Sequence, residues 1–156
     1  MAERVAKPRK SKAVAAKEEQ GANDLEVLHP NRSATIAERE VVVREYGFVE
    51  GMKMLGMLEP FLADLKQLME DDQPLTVAAA SGLFGQHMDV ITEAVAVAAD
   101  VEVEWLCGLS QDDGYHLMML WWSANGPFYI RTARNRIFAD RVERARATAG
   151  QTSTPP

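Results

Sequence analysis

The run Val41-Val42-Val43-Arg44-Glu45-Tyr46-Gly47-Phe48-Val49-Glu50-Gly51-Met52, continued over residues 53–70 by KMLGMLEPFLADLKQLME, changes its hydrophobic period part-way along. Three consecutive β-branched residues at 41–43 are stiff at χ1 and favour a strand. From Phe48 onward the apolar positions Phe48, Met52, Leu55, Leu58, Leu62, Leu65 and Met69 recur every three or four residues, which is the period of an amphipathic helix. Pro60 falls inside that stripe and predicts a kink, or two short helices with Pro60 near the start of the second. Strand therefore gives way to helix near Gly47.

Upstream, Leu25-Glu26-Val27-Leu28-His29 alternates, and His29-Pro30-Asn31-Arg32-Ser33 has turn chemistry. This predicts an antiparallel β-meander with strands near 25–29, 34–37 and 40–45 and its second turn at Glu38-Arg39. Residues 1–24 lack large apolar side chains and read as a disordered tail, since they bury too little surface to offset the entropy of ordering.

Downstream, the pattern predicts helices throughout. Residues 75–85 form a short one, capped by Thr76 and stopped by Gly85. Residues 87–99 form another, with Val90, Ile91, Ala94, Val95 and Ala98 inward. Asp100 caps a single turn, Val101–Leu106. Ser110 caps a helix with Asp112 and Asp113 in its first turn, where the dipole favours acids. Asn125-Gly126-Pro127 reads as a break, with Gly126 left-handed and Pro127 opening a last helix that carries Phe128, Ala133, Ile137, Phe138 and Val142. Residues 149–156 read as a loose tail. The fold class is thus mainly α with a small N-terminal β-meander: a single domain over 25–148, divided into 25–46 and a helical body at 47–148.

Composition narrows the function. The 156 residues are 47% apolar and 26% charged, which is ordinary for a globular protein. No apolar run is long enough for a transmembrane helix, and no apolar segment follows the basic start as in a secretory signal. The single cysteine, Cys107, excludes a disulfide scaffold and a cysteine-based zinc site, and reads as a small buried hydrophobe. His29, His87 and His116 lack ligand-spaced partners, although His87 has Asp89 and Glu93 within helical reach. Neither a Gly-x-Ser-x-Gly nor a phosphate-binding glycine loop is present. The acid pairs Asp71-Asp72, Glu102/Glu104 and Asp112-Asp113 sit at predicted helix ends, where capping explains them. No catalytic, cofactor or metal residue is nominated.

Charge is segregated. The net charge of −6 comprises +1 over residues 1–46, −11 over residues 47–126 and +4 over residues 127–156, where all six basic residues are arginines. A basic helix suits nucleic acid or an acidic protein surface. With an acidic chain overall, pairing of Arg131, Arg134, Arg141 and Arg144 with the acidic body is the simpler reading. What remains is apolar surface. Met52, Met54 and Met57 cluster on one helix; Met118, Met119, Trp121 and Trp122 cluster on another. One helix face cannot bury Met118 through Trp122, because consecutive residues point about 100° apart. Met119 or Trp122 is therefore expected to be exposed or to meet a partner, and methionine-rich surfaces suit helical ligands.

Three stretches resemble the phage tail assembly chaperones, in particular those of Mu-like transposable phages. They are His29-Pro30-Asn31-Arg32 with Thr35 through Phe48, Leu106-Cys107-Gly108-Leu109-Ser110-Gln111-Asp112-Asp113-Gly114, and Trp121-Trp122-Ser123-Ala124-Asn125-Gly126-Pro127-Phe128. Glu38 departs from the pattern, since similar sequences often carry Gly in that hairpin turn. The resemblance implies a non-enzymatic role in the bacterial host cytoplasm during virion assembly. Such proteins coat the helical tape-measure protein, keep it soluble, help recruit the tail-tube protein, and leave before the tail is finished. With the apolar clusters and the charge pattern above, the residues nominated for partner contact are Met119, Trp122, Met52, Met54, Met57, Arg131 and Arg134, no cofactor or membrane is expected, and the acidic body and basic last helix suit self-association between copies. Two other readings stand beside it. One is a small regulatory DNA-binding protein using the Arg-rich helix, although the Trp-rich helix before the Asn125 turn disfavours nucleic acid. The other is an inhibitor that occupies a host protein through an apolar face.

Overall fold

The computed structural model describes residues 32–70 and 76–151. The hairpin comes first: β1 (Arg32–Ile36) pairs antiparallel with β2 (Arg39–Val43), in the register Arg32↔Val43 to Ile36↔Arg39. Alternation does what the sequence requires of a half-buried sheet: Ile36, Val41 and Val43 are buried, while Val42 faces out. The turn is Ala37-Glu38, one residue earlier than the sequence suggests, and both residues have positive φ (46° and 63°). Positive φ at both central positions is the primed geometry whose twist matches a hairpin, and it is adopted here without Gly or Asn. The expected strand at 25–29 and the tail at 1–24 lie outside the described residues.

Six helices follow: α1 (Phe48–Met57), α2 (Glu59–Glu70), α3 (Val77–Gln86), α4 (Met88–Ala99), α5 (Val103–Cys107) and α6 (Gln111–Gln151). The apolar stripe is broken at Leu58, and Pro60 sits in the first turn of α2, where its missing N–H removes no helix bond. Thr76 caps α3 by accepting from the Ala79 N–H at 3.1 Å, and the helix passes Gly85 to end at Gln86. Asp100 has a different role from the one expected. It closes α4 in the left-handed conformation (φ 52°), while Glu102 stands at the start of α5. Ser110 caps α6, accepting from the Asp113 N–H at 3.2 Å.

The largest correction concerns Asn125-Gly126-Pro127. No break occurs there, and α6 runs through all three as one helix of 41 residues. Residues 149–151, expected in a loose tail, belong to it. Each supposed terminator serves a tertiary purpose. Asn125 is buried, accepts from the Tyr46 N–H at 3.0 Å and donates to the Arg44 carbonyl at 3.1 Å. Gly126 lies under the Trp122 indole, and a Cβ there would stand 2.7 Å from the ring. Pro127 leaves the Ser123 carbonyl without its usual i+4 donor, and the Arg32 guanidinium faces that oxygen at 3.5 Å.

Helix α6 is the spine. It packs against α2, α4 and both strands, and the core gathers around Phe61, Phe84, Leu117, Trp121 and Tyr129. Phe61 packs edge-on against Trp122 and Tyr129, and Phe84 packs against Trp121 and Trp122. The chain leaving β2 is fastened on both sides: the Arg44 N–H donates to the Ala98 carbonyl of α4 at 3.1 Å, and Tyr46 joins it to α6.

Two stability outcomes follow. Replacing Ala37-Glu38 by Asn-Gly relieves two non-glycine residues held at positive φ and raises unfolding free energy by about 1–2 kcal/mol. Asn125→Leu leaves the Tyr46 N–H and the Arg44 carbonyl without that partner and lowers it by about 2–4 kcal/mol. Urea midpoints at unchanged m-value read both.

Candidate functional site

Helix α1 shows how the fold re-aims a sequence stripe. Its inward side is Gly51, Met54, Leu55 and Leu58, spaced three, four and seven residues along. Gly51 is buried beside Tyr46, so the helix rolls until Phe48 and Met52 lie at its edge. Phe48, expected in the buried stripe, is 84% exposed, with Val49 and Met52 also exposed. Met54 and Met57 turn the other way and are half-buried against the core.

Beside this edge runs a groove between the start of α1 and the middle of α6. Tyr46, Phe48, Met52, Asn125 and Phe128 line about 100 Å³ of it. Of the expected contacts, Met52 lines the groove, and Arg131 carries its guanidinium over the Phe128 ring at 5.8 Å. Arg134 is exposed without an acidic partner among the described residues. Met119 and Trp122 are elsewhere. Both are half-buried on the core, and the Trp122 ring lies 5.1 Å from Phe84. Five neighbouring large side chains are accommodated because α6 is wrapped by strands and helices on several sides, so neither Met119 nor Trp122 is an exposed anchor.

The electrostatics around the groove hold α1 in place. Arg44 forms a two-point ion pair with Glu50, at 2.5 and 2.9 Å. That hydrogen bonding holds the Glu50 carboxyl below its usual range against the opposing effect of burial. Arg136 does the same for Glu59 across α6 and α2, at 2.7 and 2.8 Å. Lys66 meets Asp140, and Arg144 approaches Glu70. The basic half of α6 is thus partly pinned to the acidic body, by Arg136 and Arg144; Arg131, Arg134 and Arg141 remain exposed.

The Tyr46 hydroxyl donates to the Ala94 carbonyl and accepts from the Trp121 indole N–H at 2.9 Å, and burial pushes its ionisation well above the ordinary tyrosine value. His87 pairs with Asp64 of α2 at 2.8 Å, where sequence proximity suggested Asp89 or Glu93. Among the described residues no group of three His, Cys, Asp or Glu side chains is placed to hold a metal ion, and no helix is long and apolar enough to cross a membrane.

A second concavity was not legible in the sequence. A cleft of about 380 Å³ opens where α4 and the first turns of α6 meet at the α5–α6 connection. Its walls are largely apolar, with Met88, Ile91, Val95, Leu106, Tyr115 and Met118 among them. Cys107 lines it and is exposed, where the sequence suggested burial, because α5 is a single short turn on the surface. Phe138, one of the apolar residues carried by the last helix, is 69% exposed.

A family described as "Family of unknown function (DUF6631)" matches residues 24–156. Comparison with curated proteins and with solved structures gives no match.

The ion pairs set a pH dependence. Glu50 and Glu59 have folded values below their unfolded ones, so the stability they contribute is present above about pH 4.3 and lost as pH falls through the lower folded values. The urea midpoint therefore drops on acidification below about pH 4. Glu50→Gln together with Glu59→Gln flattens that drop.

Proposed function

We propose that this chain, which belongs to the family of unknown function DUF6631, is a non-catalytic binding protein that covers an apolar helical stripe of its partner. The observation that carries this is the edge formed by Phe48, Val49 and Met52 beside the Phe128 groove. Large apolar side chains in a contiguous exposed row mark an interaction surface. An i, i+1, i+4 row beside a groove suits a helix laid alongside it. Arg131 at the rim adds a fixed positive charge for a carboxylate on the incoming helix.

Within that class, the resemblance to tail assembly chaperones supplies the partner: a tape-measure protein, bound during assembly in the host cytoplasm, with the tail-tube protein recruited afterwards. A long tape-measure helix exposes apolar stripes that aggregate unless covered. Many weakly held copies along one such helix cover it reversibly through effective concentration. The DNA-binding alternative loses its structural basis at Asn125-Gly126-Pro127, because the turn it needs is the middle of α6. Inhibition of a host protein would use the same apolar edge and differs only in partner.

Co-expression with the tape-measure protein encoded in the same genome tests the proposal. The expected result is a soluble tape-measure protein that co-purifies with this chain. Phe48→Ser with Met52→Ser weakens capture by at least about tenfold, since exposed apolar anchors dominate such interfaces. Stability changes by about 0.5 kcal/mol or less, as befits exposed positions. Failure of the wild-type chain to bind or solubilise the tape-measure protein overturns the reading.

A further inference from the structure

The cleft between α4 and α6 and the exposed side of the distal half of α6 complement each other. Residues 88–118, which supply most of the cleft's walls and surroundings, contain seven carboxylates and no lysine or arginine. Asp89 on α4 and Asp112 on α6 are exposed, each next in sequence to a residue of the lining, Met88 and Gln111. On distal α6 the order is reversed. Phe138 stands 69% exposed, with Arg134 four residues before it and Arg141 three residues after, so all three share one side of the helix. Neither arginine has an acidic partner among the described residues, whereas Arg136 on the other side of the helix is held by Glu59, and Arg144, one turn beyond Arg141, approaches Glu70. An aromatic knob between two cations thus matches an apolar cleft with Asp89 and Asp112 beside it.

The two features cannot meet within one chain. Both Tyr115 in the cleft wall and Phe138 lie on α6, and 23 residues of one helix hold them about 35 Å apart. We infer that Phe138, flanked by Arg134 and Arg141, docks into the α4–α6 cleft of a second copy of this chain. Capacity is sufficient: a cavity of roughly 150 Å³ holds benzene, and this cleft offers about 380 Å³. The contact is heterologous, since knob and cleft are different patches, so each copy keeps a free knob at one end and a free cleft at the other. Copies add head to tail, into a ring or an open array. The surface used is separate from the Phe48–Met52 edge, so the inference does not depend on the partner proposed above.

Two single variants of the full chain test it. Phe138→Glu removes the knob and leaves the cleft. Cys107→Arg places bulk and positive charge at the exposed mouth of the cleft and leaves the knob. Sedimentation velocity of the wild-type chain is expected to show concentration-dependent self-association that weakens as salt rises. Each variant alone is expected to sediment as a monomer with unchanged helical circular dichroism. Mixed together, the two variants are expected to form a heterodimer and nothing larger, because each supplies the one patch the other lacks. A wild-type monomer at all concentrations, self-association persisting in either variant, or a mixture that stays monomeric would each overturn the inference. Retained capture of the tape-measure protein by Phe138→Glu separates this contact from the proposed binding edge.

Discussion

Asn125 holds the structure together. From the middle of α6 its amide accepts the Tyr46 N–H and donates to the Arg44 carbonyl, completing two backbone groups just where the chain leaves the sheet. Tyr46 then ties the indole of Trp121 to the carbonyl of Ala94. Sheet, α4 and α6 are thereby fixed at one point by directional bonds, in a core that is otherwise close-packed and non-directional. A buried amide satisfied on both ends specifies one arrangement, since sliding α6 by a turn would orphan it. The groove beside α1 inherits its geometry from this junction: Tyr46 and Asn125 form its floor, and Gly51 sits against Tyr46.

The continuity of α6 follows from the same constraint. Gly126 and Pro127 are poor residues for a helix interior. They persist here because the neighbourhood uses them. The Trp122 indole occupies the space a Cβ at 126 would need, and Arg32 faces the carbonyl that Pro127 leaves open. A continuous α6 also separates the molecule's charges along its length. Its first turns carry Asp112 and Asp113, and its distal half carries all six C-terminal arginines. Two of those arginines fasten the helix to α2, and others stay free for contacts beyond the chain.

Sequence determined the fold class and most element boundaries, because those depend on local period and capping. The switch from β-branched run to helical stripe at Gly47, the division of the stripe around Pro60, and the caps at Thr76 and Ser110 all rest on chemistry within a few residues. Segregation of charge was equally legible, although Arg131, read as pairing with the acidic body, instead stands over Phe128. None of this required knowledge of what lies opposite in space.

Tertiary structure alone decided the rest. Asn-Gly-Pro is read locally as a stop, and only a neighbouring backbone 79 residues away gives Asn125 a reason to be buried in a helix. Phe48 and Leu55 are equivalent in period, and only the contact of Gly51 with Tyr46 rolls α1 so that one is exposed and the other packed. Met119 and Trp122 are covered because α6 has neighbours on several sides, a property of assembly that a helical wheel does not contain. Period tells a residue which face of its own element it occupies; which face is buried depends on the partners that the rest of the chain brings to it.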